Sequence, residues 1–200
     1  GVAPPMPHSI DFHAAMVNPA DKYQSVSPGS QISFYWKAVY PGVFMYHCGT
    51  PMIMQHMIYG MIGMVIVDPK EGFPGKVDTA FTLIQSELYL RKTGNHTYMP
   101  DVVAAEKKAP SYVVFNGKPN WYIDHPLYVK AGQRVRLYIS NDGPNLTSSF
   151  HIVGTIFDKV WINGNPVNEE HGMQTVLLGA SSSAIVEFVL PEPGTYTFVD

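Results

Sequence analysis

Apolar and polar residues alternate along this chain with the period of β-strands, and helical periodicity is hard to find. Short runs rich in Val, Ile, Phe and Tyr recur, and 17 glycines and 17 prolines separate them. Such runs, bounded by turn-forming residues, are typical of an all-β chain. The pattern predicts strands at residues 9–14, 31–39, 43–48, 62–67, 81–90, 112–115, 134–140, 149–153, 155–162, 174–178, 184–190 and 196–199.

The two halves of the chain resemble each other. Residues 32–48 align with residues 184–200, because each stretch has alternating residues, a Pro-Gly turn and then a strand with alternating aromatic residues. In this alignment Asp200 takes the place of Cys48, and His8 falls opposite His151. Residues 69–78, with two prolines and two glycines, form the predicted joint, so we divide the chain into domains 1–75 and 76–200. The simplest interpretation is a duplicated β-sandwich.

Too few strands are predicted to form two complete sandwiches. The first half offers only about four strands, whereas a closed Greek-key sandwich needs roughly seven. The second half stops within its last predicted strand. We interpret the chain as a fragment, with the first sandwich truncated at its N-terminus and the last strand of the second cut short. The alternative is that other chains complete the sheets.

Composition and charge narrow the classes of function. The chain is 46% hydrophobic and 14% charged, with a formal net charge of −3. This balance indicates a globular core and gives no reason to expect binding to nucleic acid or to anionic membranes. No apolar run reaches the roughly 18 residues of a membrane span, and no signal peptide is visible at the start. A single cysteine excludes an internal disulfide.

That cysteine belongs to a candidate copper site. Cys48, His56 and Met61 supply a thiolate, an imidazole and a thioether within a short stretch. A blue-copper electron-transfer site uses one Cys, two His and a weak axial Met, and His8 is our candidate for the second histidine. Buried cysteines and methionines are often only core residues. Met57 and Met64 are alternative axial ligands.

Strand geometry predicts a second metal site beside the first. Successive side chains of a strand point to opposite faces, so His47 should face away from Cys48. His8 and His13 are five residues apart and should also face opposite ways, and Asp11 shares the parity of His13. Two segments therefore each send one histidine to each side. The pattern predicts two sites joined through the peptide between Cys48 and His47.

Four segments carry a resemblance to a known family. Residues 6–15 include a specific His-x-x-Asp-x-His element, and residues 41–48, 60–63 and 150–154 give support in the same order along the chain. These segments resemble the copper-containing nitrite reductases, two-domain cupredoxin enzymes related to multicopper oxidases. The resemblance implies an all-β fold of two tandem cupredoxin-like Greek-key β-sandwiches.

The resemblance also implies two copper cofactors. A type 1 copper would be held by four ligands: His8, Cys48, His56 and Met61. A type 2 copper would be held by His13 and His47, with a third histidine donated by the neighbouring subunit of a homotrimer. In the family's pattern that third histidine follows the position of Asp200, so in this protein we expect it just beyond Asp200.

Active-site roles follow from the same resemblance. Asp11 would be the active-site carboxylate, and His151 from the adjacent subunit would be its catalytic partner. Val153 takes a substrate-pocket position usually held by a larger isoleucine. Gln55 departs from the pattern, because typical family members carry tryptophan there.

The activity implied is copper-dependent reduction of nitrite to nitric oxide, a reaction of denitrification, with an electron passed from the type 1 to the type 2 copper. The electron donor would be a cupredoxin or a c-type cytochrome. The protein would be periplasmic or otherwise exported. These expectations describe an oxidoreductase with nitrite as substrate.

Two other functions remain open at this point. A laccase-like multicopper oxidase reduces dioxygen at a trinuclear cluster built from His-x-His pairs and a His-Cys-His run. The chain has no His-x-His pair, and Cys48 is followed by Gly49. A non-enzymatic type 1 copper electron carrier would use Cys48, His56 and Met61 but would leave the second predicted site unused.

Overall fold

The computed structural model describes residues 5–200, and β-structure predominates. The strands are β1 (Asp11–Phe12), β2 (Gly42–His47), β3 (Ile62–Val67), β4 (Thr79–Leu88), β5 (Leu90–Lys92), β6 (Tyr98–Pro100), β7 (Tyr112–Phe115), β8 (Arg134–Asn141), β9 (Ser148–Ile152), β10 (Phe157–Ile162), β11 (Glu169–Met173), β12 (Thr175–Leu178), β13 (Ser182–Val189) and β14 (Phe198–Val199). The helices are α1 (Pro19–Lys22), α2 (Ile53–Ile58), α3 (Val102–Glu106) and α4 (Trp121–Asp124). None of the helices described within residues 5–200 combines the length and the apolar character that a membrane-spanning segment needs.

The second half of the chain forms a β-sandwich. A six-stranded sheet in the order β11-β10-β13-β8-β4-β7 faces a three-stranded sheet in the order β12-β9-β14. Alternate residues of both sheets point inward, so Leu137, Val160 and Val186 of the larger sheet meet Phe150 and Val176 of the smaller one. This shared apolar layer is the main core of the structure.

The first half contributes a three-stranded antiparallel sheet, β1-β2-β3, which packs on the outer face of the six-stranded sheet. Val43 is buried there against Trp161 and Ile185. Ser183 Oγ donates a hydrogen bond to the Val43 carbonyl at 2.5 Å. Gly164 is required at this contact, because a Cβ at its position would lie 2.7 Å from the Val43 backbone nitrogen and its φ is +66°. The two halves are therefore joined by close backbone packing.

A buried ion pair holds the segment that connects the two halves against the outer face of the six-stranded sheet. Arg136 Nη2 lies 2.6 Å from Glu187 Oε1 and 2.6 Å from the Pro74 carbonyl. The guanidinium group also lies over the rings of Phe73 and Trp161. Removing one partner of such a buried pair would leave an uncompensated charge, which is strongly destabilising.

Most predicted strands correspond to observed ones, but the strand predicted at residues 31–39 is wrong. The only pairing in that segment is an isolated bridge between Ala15 and Ala38. Tyr35 is 95% exposed, although Phe34 contacts Tyr23 and Trp36 lies beside Phe12. The alternation is real, but no described neighbouring strand pairs with this backbone. Three short or polar strands, β5, β6 and β11, were not predicted.

The two-sandwich architecture is confirmed only in part. The chain is mostly β-structure and contains one sandwich of two facing sheets, formed by its second half. Residues 5–67 form the smaller sheet β1-β2-β3 and no second facing sheet. Two tandem sandwiches, and the division into 1–75 and 76–200, therefore stay predictions.

The strand registers reveal which residues of the two halves are equivalent. Asp11 pairs with His47 in the first half, and His151 pairs with Val199 in the second. Both pairs join a strand to the strand that follows the Pro-Gly turn. His151 is therefore the counterpart of Asp11.

Hydrogen bonds support the same equivalence between the two halves at a second pair of positions. The Ser9 N–H donates to Cys48 Sγ at 3.4 Å, and the Ser149 N–H donates to Asp200 Oδ1 at 2.7 Å. Asp200 thus occupies the position of Cys48, as the alignment of the two halves indicates.

The alignment of His8 with His151 is wrong. Because Ser9 corresponds to Ser149, the counterpart of His8 is Ser148. Strand register is set by the hydrogen-bonded pairs, and the loops between these segments differ in length. An alignment anchored on the Pro-Gly turns therefore fails to extend correctly to the earlier strand.

Candidate metal centre

Three of the predicted type 1 ligands lie together. His8 Nδ1 is 3.2 Å from His56 Nδ1, and Cys48 Sγ is 3.8 Å from His8 Nδ1. Cys48 and His56 are buried. One imidazole comes from the segment before β1, the thiol from the end of β2 and the other imidazole from helix α2. Side chains distant in sequence thus converge on one point.

Backbone contacts hold this group in place. The Cys48 N–H donates to the Met61 carbonyl at 3.1 Å, and the Met61 N–H donates to the His56 carbonyl at 3.3 Å. His8 exchanges two backbone hydrogen bonds with Val26. The two ends of the segment between Cys48 and Met61 are therefore joined by a backbone hydrogen bond.

The methionine alternatives are placed differently. Met64 packs against the cluster that contains Val43 and Trp161, at the contact with the six-stranded sheet. Met57 is buried in helix α2 beside His56. Met61 lines the same cleft as Cys48, whereas Met57 and Met64 do not. The role of Met61 as axial ligand stays a prediction.

The donor atoms of this group suit a copper ion. Two imidazole nitrogens face each other 3.2 Å apart with a thiol sulfur beside them. Among residues 5–200, His56 Nε2 is buried without a hydrogen bond. Burial, and secondly the neighbouring His8, lower the pKa of His56. The neutral imidazole favoured by these effects is the form that binds metal.

A second group lies on the other side of the Cys48–His47 peptide. His13 Nε2 is 3.0 Å from His47 Nε2, and Asp11 Oδ2 is 3.9 Å from His47 Nε2. His47 Nδ1 lies 2.9 Å from the Cys48 carbonyl. A ring N–H donated there leaves Nε2 with its lone pair directed at His13, and such outer hydrogen bonds orient metal-binding histidines.

Electrostatics within this second group also favour neutral histidine. Burial, and then the neighbouring His47, lower the pKa of His13, while Asp11 opposes the shift. The donor set, two Nε2 atoms with a carboxylate oxygen nearby, fits a copper or zinc ion held by imidazole. It leaves room for further ligands, since His13 is exposed on one side.

The two groups contain the residues that strand alternation assigns to each side. Within residues 5–200, His8, Cys48 and His56 form one cluster of potential metal ligands, and Asp11, His13 and His47 form the other. The roles of these residues as copper ligands remain a prediction.

The predicted partners of Asp11 lie elsewhere in the same chain. His151 is on β9, where its Nδ1 contacts the Gln174 carbonyl. Val153 follows β9 and is half exposed. Neither residue joins the cluster of Asp11 within this chain. A role for them there would require a neighbouring subunit.

Ser9 is a site residue that the sequence analysis missed. Its N–H donates to Cys48 Sγ, and its Oγ accepts hydrogen bonds from the Gly49 N–H at 3.1 Å and from Thr50 Oγ1 at 3.3 Å. Its position directly after His8 was the available signal. Ser9 anchors the loop that follows the cysteine.

Comparisons with known proteins agree with this geometry. A family model described as multicopper oxidase matches residues 7–71. The copper-containing nitrite reductase of Neisseria meningitidis serogroup B is 42% identical over 199 residues, covering 98% of this chain and 50% of that protein. This chain spans about half the length of the curated relatives it matches.

Solved structures show the same likeness. The copper nitrite reductase from Nitrosomonas europaea superposes with a TM-score of 0.86 and 36% identity, covering 98% of this chain and 69% of that one. The Cu-containing nitrite reductase from Thermus scotoductus gives a TM-score of 0.87 and 38% identity, over 96% and 45% of the two chains. The sandwich is thus cupredoxin-like, and the chain belongs to the copper-containing nitrite reductase family, within the multicopper oxidase superfamily.

Proposed function

We propose that this chain forms part of an enzyme that reduces nitrite to nitric oxide. The observation that carries the proposal is the Cys48–His47 dipeptide, whose adjacent side chains enter two separate groups of metal-ligand atoms. His8, Cys48, His56 and Met61 would hold a type 1 copper, and His13 and His47 would hold a type 2 copper. The names of the relatives and solved structures support the same activity.

The protein's contribution to electron transfer is a short covalent path. When bound, copper would supply one-electron redox chemistry at the first site and Lewis acidity at the second. The peptide between Cys48 and His47 joins the two ligand groups directly. The contact between His47 Nδ1 and the Cys48 carbonyl adds a second, shorter connection. An electron delivered near Cys48 would reach the second site through these atoms.

Asp11 is the candidate proton donor. Nitrite, two protons and one electron give nitric oxide and water, so the site must deliver protons as well as an electron. The Asp11 carboxylate lies 3.9 Å from His47 Nε2 and is partly exposed. It would hydrogen-bond the substrate and pass a proton to the departing oxygen, as a general acid does.

The remaining parts of the site would come from a neighbouring subunit. His151 would act with Asp11, and Val153 would line the substrate pocket. A third histidine, expected beyond Asp200, would complete the type 2 site across the interface of a homotrimer. The electron donor would be a cupredoxin or a c-type cytochrome, and the location would be periplasmic.

The test uses the full-length, copper-loaded protein and its Asp11→Asn variant. We expect nitrite reduction to fall by about 10²- to 10⁴-fold, the usual contribution of general acid–base catalysis. The visible absorption of the type 1 copper should be unchanged. Asp124→Asn, at an exposed position, is the matched control and should keep wild-type activity. Full activity in Asp11→Asn would contradict the role of Asp11.

Electron paramagnetic resonance of the wild-type protein separates the competing functions. The reductase should show both type 1 and type 2 signals with two coppers per subunit. A type 1 signal alone would indicate an electron carrier. Four coppers per subunit would indicate an oxidase with a trinuclear cluster.

A further inference from the structure

Helix α2 has two functional faces. His56 points toward Cys48 and His8. Met54 and Ile58 are four residues apart and share a helix face, and both pack in a separate cluster with the buried Tyr89 of the second half. Two residues along a helix correspond to a rotation of about 200° around the helix axis. The side chain of His56, two residues from Met54 and from Ile58, therefore points to nearly the opposite side of the helix. The helix therefore bridges the candidate type 1 site and the second half.

The second half presents a buried polar network beneath this helix. Tyr89 is fully buried, and its hydroxyl donates to Glu87 Oε2 at 2.6 Å. The same carboxylate accepts backbone hydrogen bonds from Asn145 at 3.2 Å and from Leu146 at 2.9 Å. Burial, and then the bond to Glu87, raise the pKa of Tyr89 to about 12. The hydroxyl thus stays protonated and remains a donor.

Asn145 connects this network to the helices. Its Nδ2 donates to the Ala105 carbonyl of α3 at 2.8 Å and contacts the Tyr89 hydroxyl at 3.2 Å. The same nitrogen lies 3.9 Å from Met54 Sδ of α2. One amide group therefore touches the tyrosine and both helices. Buried and satisfied networks of this kind hold a single arrangement of the groups around them.

We propose that Tyr89, Glu87 and Asn145 are positioning residues that set where helix α2 holds His56, so that the second half tunes the type 1 copper held by the first. The properties of a metal site depend on the groups that orient its ligands, and the redox potential of a blue-copper site depends on its surroundings. The inference rests on one part of the proposed function, namely that His56 binds copper. It does not require nitrite to be the substrate.

The test is Tyr89→Phe in the full-length protein, which keeps the ring and removes only the hydroxyl. We expect the ratio of the visible type 1 absorption bands to change. We also expect the equilibrium constant for reduction by a reference redox protein to change about threefold to tenfold, the range that one net hydrogen bond allows. In metal-free protein, the Cys48 thiol should react faster with a disulfide reagent, because the helix over it is held less firmly.

The matched control is Tyr122→Phe. The Tyr122 hydroxyl also contacts an asparagine side chain, Asn116 Nδ2 at 2.7 Å, but at an exposed site away from α2. This control should leave the absorption bands, the reduction equilibrium and the thiol reactivity unchanged. Asn145→Ala is the second test variant, for use if Tyr89→Phe does not fold.

The proposal is overturned if a folded Tyr89→Phe or Asn145→Ala protein matches Tyr122→Phe in all three measurements. Nitrite turnover is not among them, so failure of the proposed function is distinguishable. A wild-type protein with type 1 absorption but no nitrite reduction would contradict only the enzymatic role. If the wild-type protein takes up no type 1 copper, the tuning of copper is overturned, and unchanged thiol reactivity in the variants then overturns the positioning of His56 as well.

Discussion

The candidate type 1 site and its counterpart in the second half are built on the same strand register. In the first, the Ser9 N–H donates to Cys48 Sγ, and the imidazoles of His8 and His56 converge beside the sulfur. Each of the three side chains offers a lone-pair donor atom to the same point. A metal ion placed between them could accept all three lone pairs.

The counterpart is closed by hydrogen bonds instead. Ser149 N–H and Gln85 Nε2 donate to the two carboxylate oxygens of Asp200, each at 2.7 Å. Ser148 Oγ donates to Gln85 Oε1 at 2.9 Å. Donors and acceptors are matched here, so this region needs no metal. The comparison shows that the cluster of potential metal ligands consists of three side chains and is not a property of the shared fold.

The same register relates the residues proposed for catalysis. Asp11 corresponds to His151, and two residues further along His13 corresponds to Val153. The proposed active site of a trimer would therefore combine equivalent positions from the two halves. The two halves would supply different chemistry from the same place in the fold.

The strongest test of the comparison is Cys48→Asp, which places the counterpart's residue in the first site. We expect complete loss of the intense visible absorption, because this absorption requires a copper–thiolate bond. Asp200→Asn is the control and should keep the absorption. Absorption that survived in Cys48→Asp would show that the thiolate is not a ligand. Visible spectroscopy of the copper-loaded proteins is sufficient for the measurement.

A second test compares the buried carboxyl group of Asp142 with the exposed carboxyl group of Asp124, both in the second half. Asp142 is completely buried, and among residues 5–200 neither of its oxygens makes a hydrogen bond of normal geometry. Burial raises the pKa of Asp142 to about 7, with partial opposition from Ser140. Between about pH 4 and pH 7 the unfolded chain loses this proton while the folded chain keeps it, so stability falls as pH rises.

We therefore expect Asp142→Asn to be more stable than the wild-type protein above pH 7, by up to about 4 kcal/mol. The difference should vanish toward about pH 4, where both folded and unfolded chains hold the proton. Urea unfolding at several pH values measures this difference. The exposed Asp124→Asn should show no such dependence. A constant difference across the pH range would contradict the raised pKa.

The smallest expected effect compares two equivalent serines. Ser9→Ala removes the acceptor of the Gly49 N–H and the Thr50 hydroxyl, which should lower the free energy of unfolding by about 1–2 kcal/mol. Ser149→Ala changes an exposed side chain and should stay within about 0.5 kcal/mol of the wild-type value. Urea midpoints give both values. Equal shifts would mean that the Ser9 hydroxyl does not anchor the loop after Cys48.

Local patterns explain why much of the fold could be predicted. The strand predicted at 62–67 and that at 112–115 have the observed bounds, because alternation and flanking turn residues specify them locally. The parity of His47 and Cys48 separates the two ligand groups for the same reason. Segment 31–39, which forms no strand, shows the limit, since alternation cannot show whether a partner strand lies beside it.

The sequence by itself determined the strand-rich fold, the adjacency of His47 and Cys48 and the types of ligand available, because these depend on residue identity and a two-residue period. Only the tertiary structure decided that His8 and His56 meet, that Ser148 replaces His8 in the second half, and that Tyr89 and Asn145 underlie helix α2. These facts depend on strand register and long-range packing. No local pattern encodes them, because each joins residues that are distant along the chain.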